Sequence, residues 1–287
     1  MSVQRAIEEW HAMQAGWRRT TTAVEMRLDW DAFLPNTDVS DEPVTIAGIP
    51  ARWVGAGDRT LLYLHGGAYR IGSSQSHKGL AARIAAAAKC SVLLPDYRLA
   101  PEHRYPAAID DAVTVYRWLL DEGRSNIAIA GDSAGGGLSV ATMLGLRGSL
   151  PLPSAAVLLS PWTDFTVSGA SYRTHQDQDP INRRVAVVAL AADYLGDADA
   201  RAASPLFADL RGLPPTLVQA GGREIVLDDS RAFVDAALAA GVDARLELYE
   251  PMIHVWQLFP YLDDTTRAVA SIAAFLDAHW ASFESEY

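Results

Sequence analysis

The chain predicts an α/β fold: a mostly parallel sheet with helices on both faces. Three observations carry that expectation. Short apolar runs of strand character recur along the sequence, longer Ala-rich or periodic segments separate them, and turn residues bound each run. Strand and helix in strict alternation require crossover connections, and crossovers place helices on both faces of a parallel sheet.

In order, the predicted strands are Leu61 to Leu64, Ser91 to Leu94, Ile127 to Ala130, Ala156 to Leu159, Leu217 to Ala220 and Leu246 to Tyr249. The predicted helices are Gly79 to Ala88, Ala107 to Leu120, Ala134 to Leu146, Ser230 to Ala240 and Thr265 to Trp280. Two segments break the rhythm. Residues 1 to about 40 carry large apolar side chains at Ile7, Trp10, Met13, Trp17, Met26, Leu28, Trp30 and Phe33, a pattern of short amphipathic helices lying on something else. Residues 162 to 206 contain Asp179-Pro180 and a helical stretch from Arg184 to Leu195. Both are candidates for a lid or helical cap over a site on the sheet, the alternative being that they simply cover core, and one domain spanning residues 1–287 is expected because no repeat, low-complexity tract or linker divides the chain.

Composition narrows the chemistry. With 287 residues, 49% of them hydrophobic and 21% charged, the chain can bury a sizeable core. Its formal net charge of -11 argues against nucleic acid and anionic membrane as partners. Cys90 is the single cysteine, so no intramolecular disulfide or zinc knuckle is possible. Arg5, Glu8 and Glu9 stand where a signal peptide needs an apolar run, and no later stretch reaches 18 uninterrupted apolar residues. A cytoplasmic protein without stable membrane insertion is expected. The signatures of phosphate-binding loops, zinc proteases and dinucleotide folds are missing, so neither metal nor cofactor is expected.

One constellation carries chemistry. Gly131-Asp132-Ser133-Ala134-Gly135 fits G-x-S-x-G between a predicted strand and a predicted helix. Chance alone would produce that pattern in about one chain in ten of this length; the strand-to-helix context is what gives it meaning. Small residues on both flanks allow a sharp turn that exposes the serine hydroxyl above the sheet. Upstream, again after a strand, His65-Gly66-Gly67-Ala68-Tyr69 offers bare backbone N–H groups of the kind an oxyanion requires. In this layout the general base comes late in the chain, which points to His254 just past the last strand and leaves His65 a packed, hydrogen-bonded residue. The acid that orients the imidazole belongs to the loop after Leu217 to Ala220. Glu224 lies nearest the strand end, while Asp228 and Asp229 look like the first turn of the following helix. Asp228 and, after another strand, Asp164 stay open as alternatives.

These pieces together resemble the hormone-sensitive-lipase-like, or family IV, carboxylesterases of the α/β-hydrolase fold. The resemblance runs from about Leu61 to Trp256 and rests on HGGAY at 65–69, DYRLAPEHRYPAAIDDA at 96–112, GDSAGG at 131–136, SPWTDF at 160–165 and MIHVW at 252–256. It implies a serine carboxylesterase for short to medium acyl chains that uses an acyl-enzyme, with Ser133, Glu224 and His254 as the triad. Glu224-Ile225 stands where the family usually has Asp-Pro. The resemblance maps the oxyanion donors onto Gly66, Gly67, Ala68 and Ala134, with Ala68 where many members carry a third glycine. Tyr69, Trp162 and Phe165 are expected to line the pocket. A lactone or amide hydrolase would use the same triad, and a non-catalytic small-molecule receptor of the same family would lack the histidine that this chain retains. The last strand, Arg245 to Tyr249, is expected at a sheet edge where it invites a homodimer.

Overall fold

The computed structural model describes residues 2–18, 21–34 and 39–284, with the side chains of the last helix followed as far as Trp280. Two helices open the chain: α1 (Val3–Gln14) and α2 (Ala23–Phe33), the second started by a capping box between Thr22 and Glu25. Strands β1 (Asp41–Ile46), β2 (Ile49–Val54) and β3 (Thr60–Leu64) follow. Then come α3 (Ser74–Ala88), β4 (Ser91–Pro95), α4 (Ala107–Asp121), β5 (Ile127–Asp132), α5 (Ala134–Leu146) and β6 (Ala156–Leu159). The inserted region holds α6 (Ser171–Thr174), α7 (Arg184–Leu195) and α8 (Ala200–Ala203), after which β7 (Thr216–Gly221), α9 (Leu227–Ala239), β8 (Ala244–Tyr249) and α10 (Asp263–Glu284) complete the chain.

The strands form one sheet in the order β1-β2-β4-β3-β5-β6-β7-β8, parallel from β4 to β8 and antiparallel at β1 and β2. Strands β3 to β7 are buried along their whole length, as expected when helices cover both faces. One apolar layer joins α4, α5 and α9 to one face; the other joins α3, α10 and the N-terminal helices to the opposite face. All six predicted strands form, and the α/β-hydrolase architecture is present.

The hairpin of β1 and β2 is not among the predicted strands. Pro43 and Pro50 interrupt its pattern, and both are tolerated because the hairpin lies at the sheet's rim. Its turn is made by Ala47 (φ 50°) and Gly48 (φ 86°), a left-handed pair without the usual Asn-Gly signal. Helix α3 begins before the predicted Gly79, because Ser73 and Ser76 form a capping box ahead of it.

The topology gathers the ends of the central strands. In register, Leu64 lies beside Gly131, Asp132 beside Leu159, Leu159 beside Gln219 and Gly221 beside Tyr249. Every loop that leaves the carboxyl end of β3, β5, β6, β7 or β8 therefore opens onto one edge of the sheet, where α/β folds build their sites. Residues of both irregular segments line one cavity with Ser133 and His254 at that edge. His11 of α1 donates from Nε2 to the Pro180 carbonyl at 2.7 Å, which ties the N-terminal helices to the inserted region. Of the expected N-terminal segment, residues 1, 19–20 and 35–38 lie outside the described residues.

Candidate active site

Ser133 sits in the turn between β5 and α5 with φ 51° and ψ -119°, a conformation that L residues adopt only when their surroundings impose it. The surroundings are backbone. A side chain on Gly135 would place its Cβ 2.0 Å from the Leu64 carbonyl oxygen, and one on Gly131 would meet the Gly135 carbonyl at 2.3 Å. The two glycines of the motif thus let the first turn of α5 close against the ends of β3 and β5. Strand β6 completes the clamp. The Ser133 N–H donates to the Leu159 carbonyl at 2.8 Å, and the Ser133 carbonyl accepts from the Trp162 N–H at 2.9 Å.

The hydroxyl so presented meets an imidazole. Ser133 Oγ lies 2.9 Å from His254 Nε2, and His254 Nδ1 lies 2.5 Å from Glu224 Oε2. The other carboxylate oxygen of Glu224 accepts the Gly221 N–H at 2.6 Å, which folds the side chain back on its own loop. Glu224 is fully buried. The loops of Glu224 and His254 hold each other through Arg223 N–H to Met252 carbonyl (3.2 Å) and Gly222 N–H to Tyr249 carbonyl (3.0 Å). Burial by itself would drive the His254 imidazolium toward neutrality, but the hydrogen bond and charge of Glu224 outweigh it, so the histidine titrates above its ordinary range.

The competing acids are occupied elsewhere. Asp164 spends its carboxylate on the N–H and hydroxyl groups of Thr166 and Ser168. Asp228 accepts the Ser171 N–H at 2.8 Å at the start of α9. Of the three candidate acids, Glu224 is the one the fold brings to His254.

The glycine loop after β3 brings backbone donors to the same place. The N–H groups of Gly67, Ala68 and Ala134 find no acceptor among the described residues, and Gly67, Ala68 and Ser133 line one cavity. Gly66 is a correction to the sequence reading: its N–H donates to Asp132 Oδ1 at 3.0 Å, so it has no donor left for a ligand. It braces the loop instead. Asp132 is buried, takes a second bond from the Tyr63 hydroxyl at 2.8 Å and lies 3.4 Å from His77 Nε2. His65 stacks on Tyr97 with centroids 4.2 Å apart, and its Nδ1 is bonded to the Gly66 carbonyl. Burial, with His77 beside it, lowers the His65 pKa to about 3, so this imidazole stays neutral and its work is structural.

A cavity of about 430 Å³ opens above Ser133 and His254. Its walls include Trp10 of α1, Trp17 from the connection that follows it, Met26 and Trp30 of α2, and Ala186 and Leu190 of α7. Tyr69, Trp162 and Phe165 are not among the lining residues, contrary to the sequence reading. All three are buried in the core. Tyr69 stacks on Tyr194 at 3.7 Å and Trp162 meets Phe165 edge-on at 5.0 Å, so they support the cavity floor from behind. Their position beside the motifs suggested the cavity; burial decides otherwise. Leu258 and Phe259, which do line it, follow His254 in a short turn that carries no periodic signal.

One more carboxyl supports the nucleophile turn from behind. Asp229 Oδ2 accepts the N–H groups of Thr163 and Asp164 at 2.9 and 2.8 Å, in the loop whose Trp162 clamps Ser133. Its other oxygen is buried without a hydrogen bond, and burial pushes its pKa up to about 8. An unfolded aspartate titrates near 4. The folded state therefore binds the extra proton between about pH 4 and 8, and stability falls as pH rises through that window. Asp229→Asn keeps the shape and removes the titration. Urea unfolding at pH 5 and at pH 8 should show the variant gaining stability relative to the native chain as pH rises; an unchanged difference between the two pH values would contradict the buried neutral carboxyl.

The comparisons with known proteins agree with this geometry. A family model described as the alpha/beta hydrolase fold matches residues 61–258. The chain is 43% identical over 242 residues to an acetyl-hydrolase of Streptomyces hygroscopicus, covering 81% of each. It is 39% identical over 254 residues to an esterase of Acinetobacter venetianus, covering 85% of this chain and 84% of that one. The crystal structure of an esterase from the bacterial hormone-sensitive lipase family superposes with a TM-score of 0.93 at 44% identity, over 97% of this chain and 98% of that one. The chain belongs to the hormone-sensitive-lipase-like family of carboxylic ester hydrolases, on the α/β-hydrolase fold.

Proposed function

We propose that the chain hydrolyses short to medium acyl esters through an acyl-enzyme. The observation that carries the reading is the unbroken contact from Glu224 Oε2 through both nitrogens of His254 to Ser133 Oγ. His254 Nε2 takes the hydroxyl proton as Ser133 Oγ bonds to the ester carbon, and Glu224 supports the imidazolium that results. The N–H groups of Gly67, Ala68 and Ala134 stabilise the oxyanion. His254 then returns the proton to the leaving alcohol as the C–O bond breaks. A water molecule, deprotonated by the same imidazole, releases the acid and frees Ser133. The acyl-chain range is supported by the modest cavity and its apolar walls from α1, α2 and α7, which act as the cap. No described helix is long and apolar enough to cross a membrane.

Assays with p-nitrophenyl acetate and butyrate test the reading directly. Ser133→Ala should retain its circular dichroism and lose more than 99% of turnover by order of magnitude, and Glu224→Gln should lose about 10² to 10⁴ in kcat. Asp228→Asn and Asp164→Asn should keep kcat within about threefold, because a cap or loop contact affects stability and not the transition state. Ester turnover that survived Ser133→Ala would overturn the assignment.

The raised pKa of His254 fixes the pH profile. A base must be neutral to accept a proton, and a folded-state pKa above 6.5 means that protonation already begins above that pH as the solution is acidified. The acid limb of kcat/KM should therefore have an apparent pKa above 6.5. A limb at 6 or below would contradict the Glu224 contact.

We also propose a homodimer through β8. That strand ends the sheet order, and past its buried Ala244 its residues are at least partly exposed, which suits strand pairing with a second copy. Light scattering at micromolar concentration should give twice the 31.0 kDa chain mass; a value for one chain would reject it.

A further inference from the structure

We propose that Asp179 is a positioning residue for the triad acid, a reading that rests on the mechanism above. Asp179 belongs to the inserted region, far in sequence from the acid loop, yet it is 1% exposed and reaches that loop. Its Oδ1 accepts the N–H groups of Ile181 (2.8 Å) and Asn182 (3.0 Å), closing a local turn. Its Oδ2 accepts the N–H of Ile225 at 2.9 Å. Ile225 directly follows Glu224, whose two oxygens hold Gly221 N–H and His254 Nδ1. One carboxylate thus fixes two structures at once: the backbone from which Glu224 projects, and a stretch of cavity wall, since Ile181 and Asn182 both line the cavity.

The local part of this arrangement is ordinary chain-turn chemistry. The bond to Ile225 is different. Leaving a buried N–H without an acceptor is unfavourable, so the acid loop is held where the Ile225 N–H meets Asp179. Arg183 bonds to the Asp179 main-chain carbonyl, which leaves both carboxylate oxygens to backbone N–H groups and the Asn182 amide. The consequence is mechanical. Glu224 is anchored from one side by Gly221 and from the other by Asp179, so its carboxylate meets the imidazole without having to search for it, and misplacement by about an ångström of a group that positions a base can cost about 10²-fold in rate.

The decisive variant is Asp179→Ser. A serine hydroxyl can still accept from Ile181 and Asn182 but is too short to reach Ile225, so the local turn survives and only the link to the acid loop is cut. With p-nitrophenyl butyrate, kcat should fall about 10- to 100-fold while KM changes less than about threefold and circular dichroism is unchanged. The second measurement is a cycle with Glu224→Gln. If Asp179 acts through Glu224, adding Asp179→Ser to Glu224→Gln should lower kcat by less than about threefold, because the group being positioned is already disabled. Asp179→Asn, which also loses one acceptor, serves in the same cycle should the serine variant not fold. Losses that multiply in full, a kcat within twofold of native, or an effect confined to KM would each overturn the proposal. A silent Glu224→Gln would instead overturn the triad on which it rests, so the two failures are told apart.

Discussion

Everything at this site depends on the left-handed backbone of Ser133. No local preference favours it, since a serine at φ 51° is strained by an amount on the order of 1 to 3 kcal/mol. It persists because its neighbours impose it: β3 presses against Gly135, the first turn of α5 closes against Gly131 at the end of β5, and the β6 end grips Ser133 through Leu159 and Trp162. The hydroxyl is placed by the sheet rather than by its own turn. For the same reason the glycine loop and the nucleophile are a single construction, because Gly66 leans on Asp132 and Gly135 leans on Leu64.

Around that turn the protein buries acidic groups and meets them with backbone N–H donors. Asp132 takes Gly66, Glu224 takes Gly221, Asp164 takes Thr166 and Ser168, and Asp179 takes Ile181, Asn182 and Ile225. Each carboxylate pins a loop that follows a strand or enters the cap. Such bonds to a charged acceptor are stronger than those between neutral groups, and they are available without a bulky partner. Asp229 departs from the pattern in leaving one oxygen unbonded, and burial raises its pKa. A chain of net charge -11 thus carries much of its interior negative charge as loop fasteners, while Arg98 with Asp111 and Arg27 with Glu102 neutralise others nearer the surface.

What could be read in the sequence follows from the range of the forces involved. The buried parallel strands announce themselves because both faces are apolar, and the nucleophile turn because close backbone approach demands glycine at Gly131 and Gly135. His254 could be placed from topology, because it follows the last strand, whereas topology left Glu224 beside Asp228 and Asp164 and the family resemblance singled it out. The hairpin of β1 and β2 was hidden by its prolines. The role of Gly66 was hidden as well: adjacent glycines look equally able to donate, and only the position of Asp132 separates the one that braces from the ones that face the cavity. Tyr69, Trp162 and Phe165 failed as cavity residues for a related reason. An aromatic beside a motif is as useful behind a wall as on it, and the stacking of Tyr69 on Tyr194 is a long-range fact. Asp179 carried only the signature of a turn before a proline.

The contact between His11 and the Pro180 carbonyl has a consequence for how such an enzyme can diversify. Ser133, Glu224 and His254 sit on loops at the strand ends, whereas much of the cavity wall comes from two other stretches of chain, one that precedes the first strand and one inserted in the connection from β6 to β7. Trp10, Trp17, Met26 and Trp30 belong to no strand, so no ladder of the sheet runs through them. The width of the cavity and the spacing of Ser133, His254 and Glu224 are therefore set largely by different parts of the sequence.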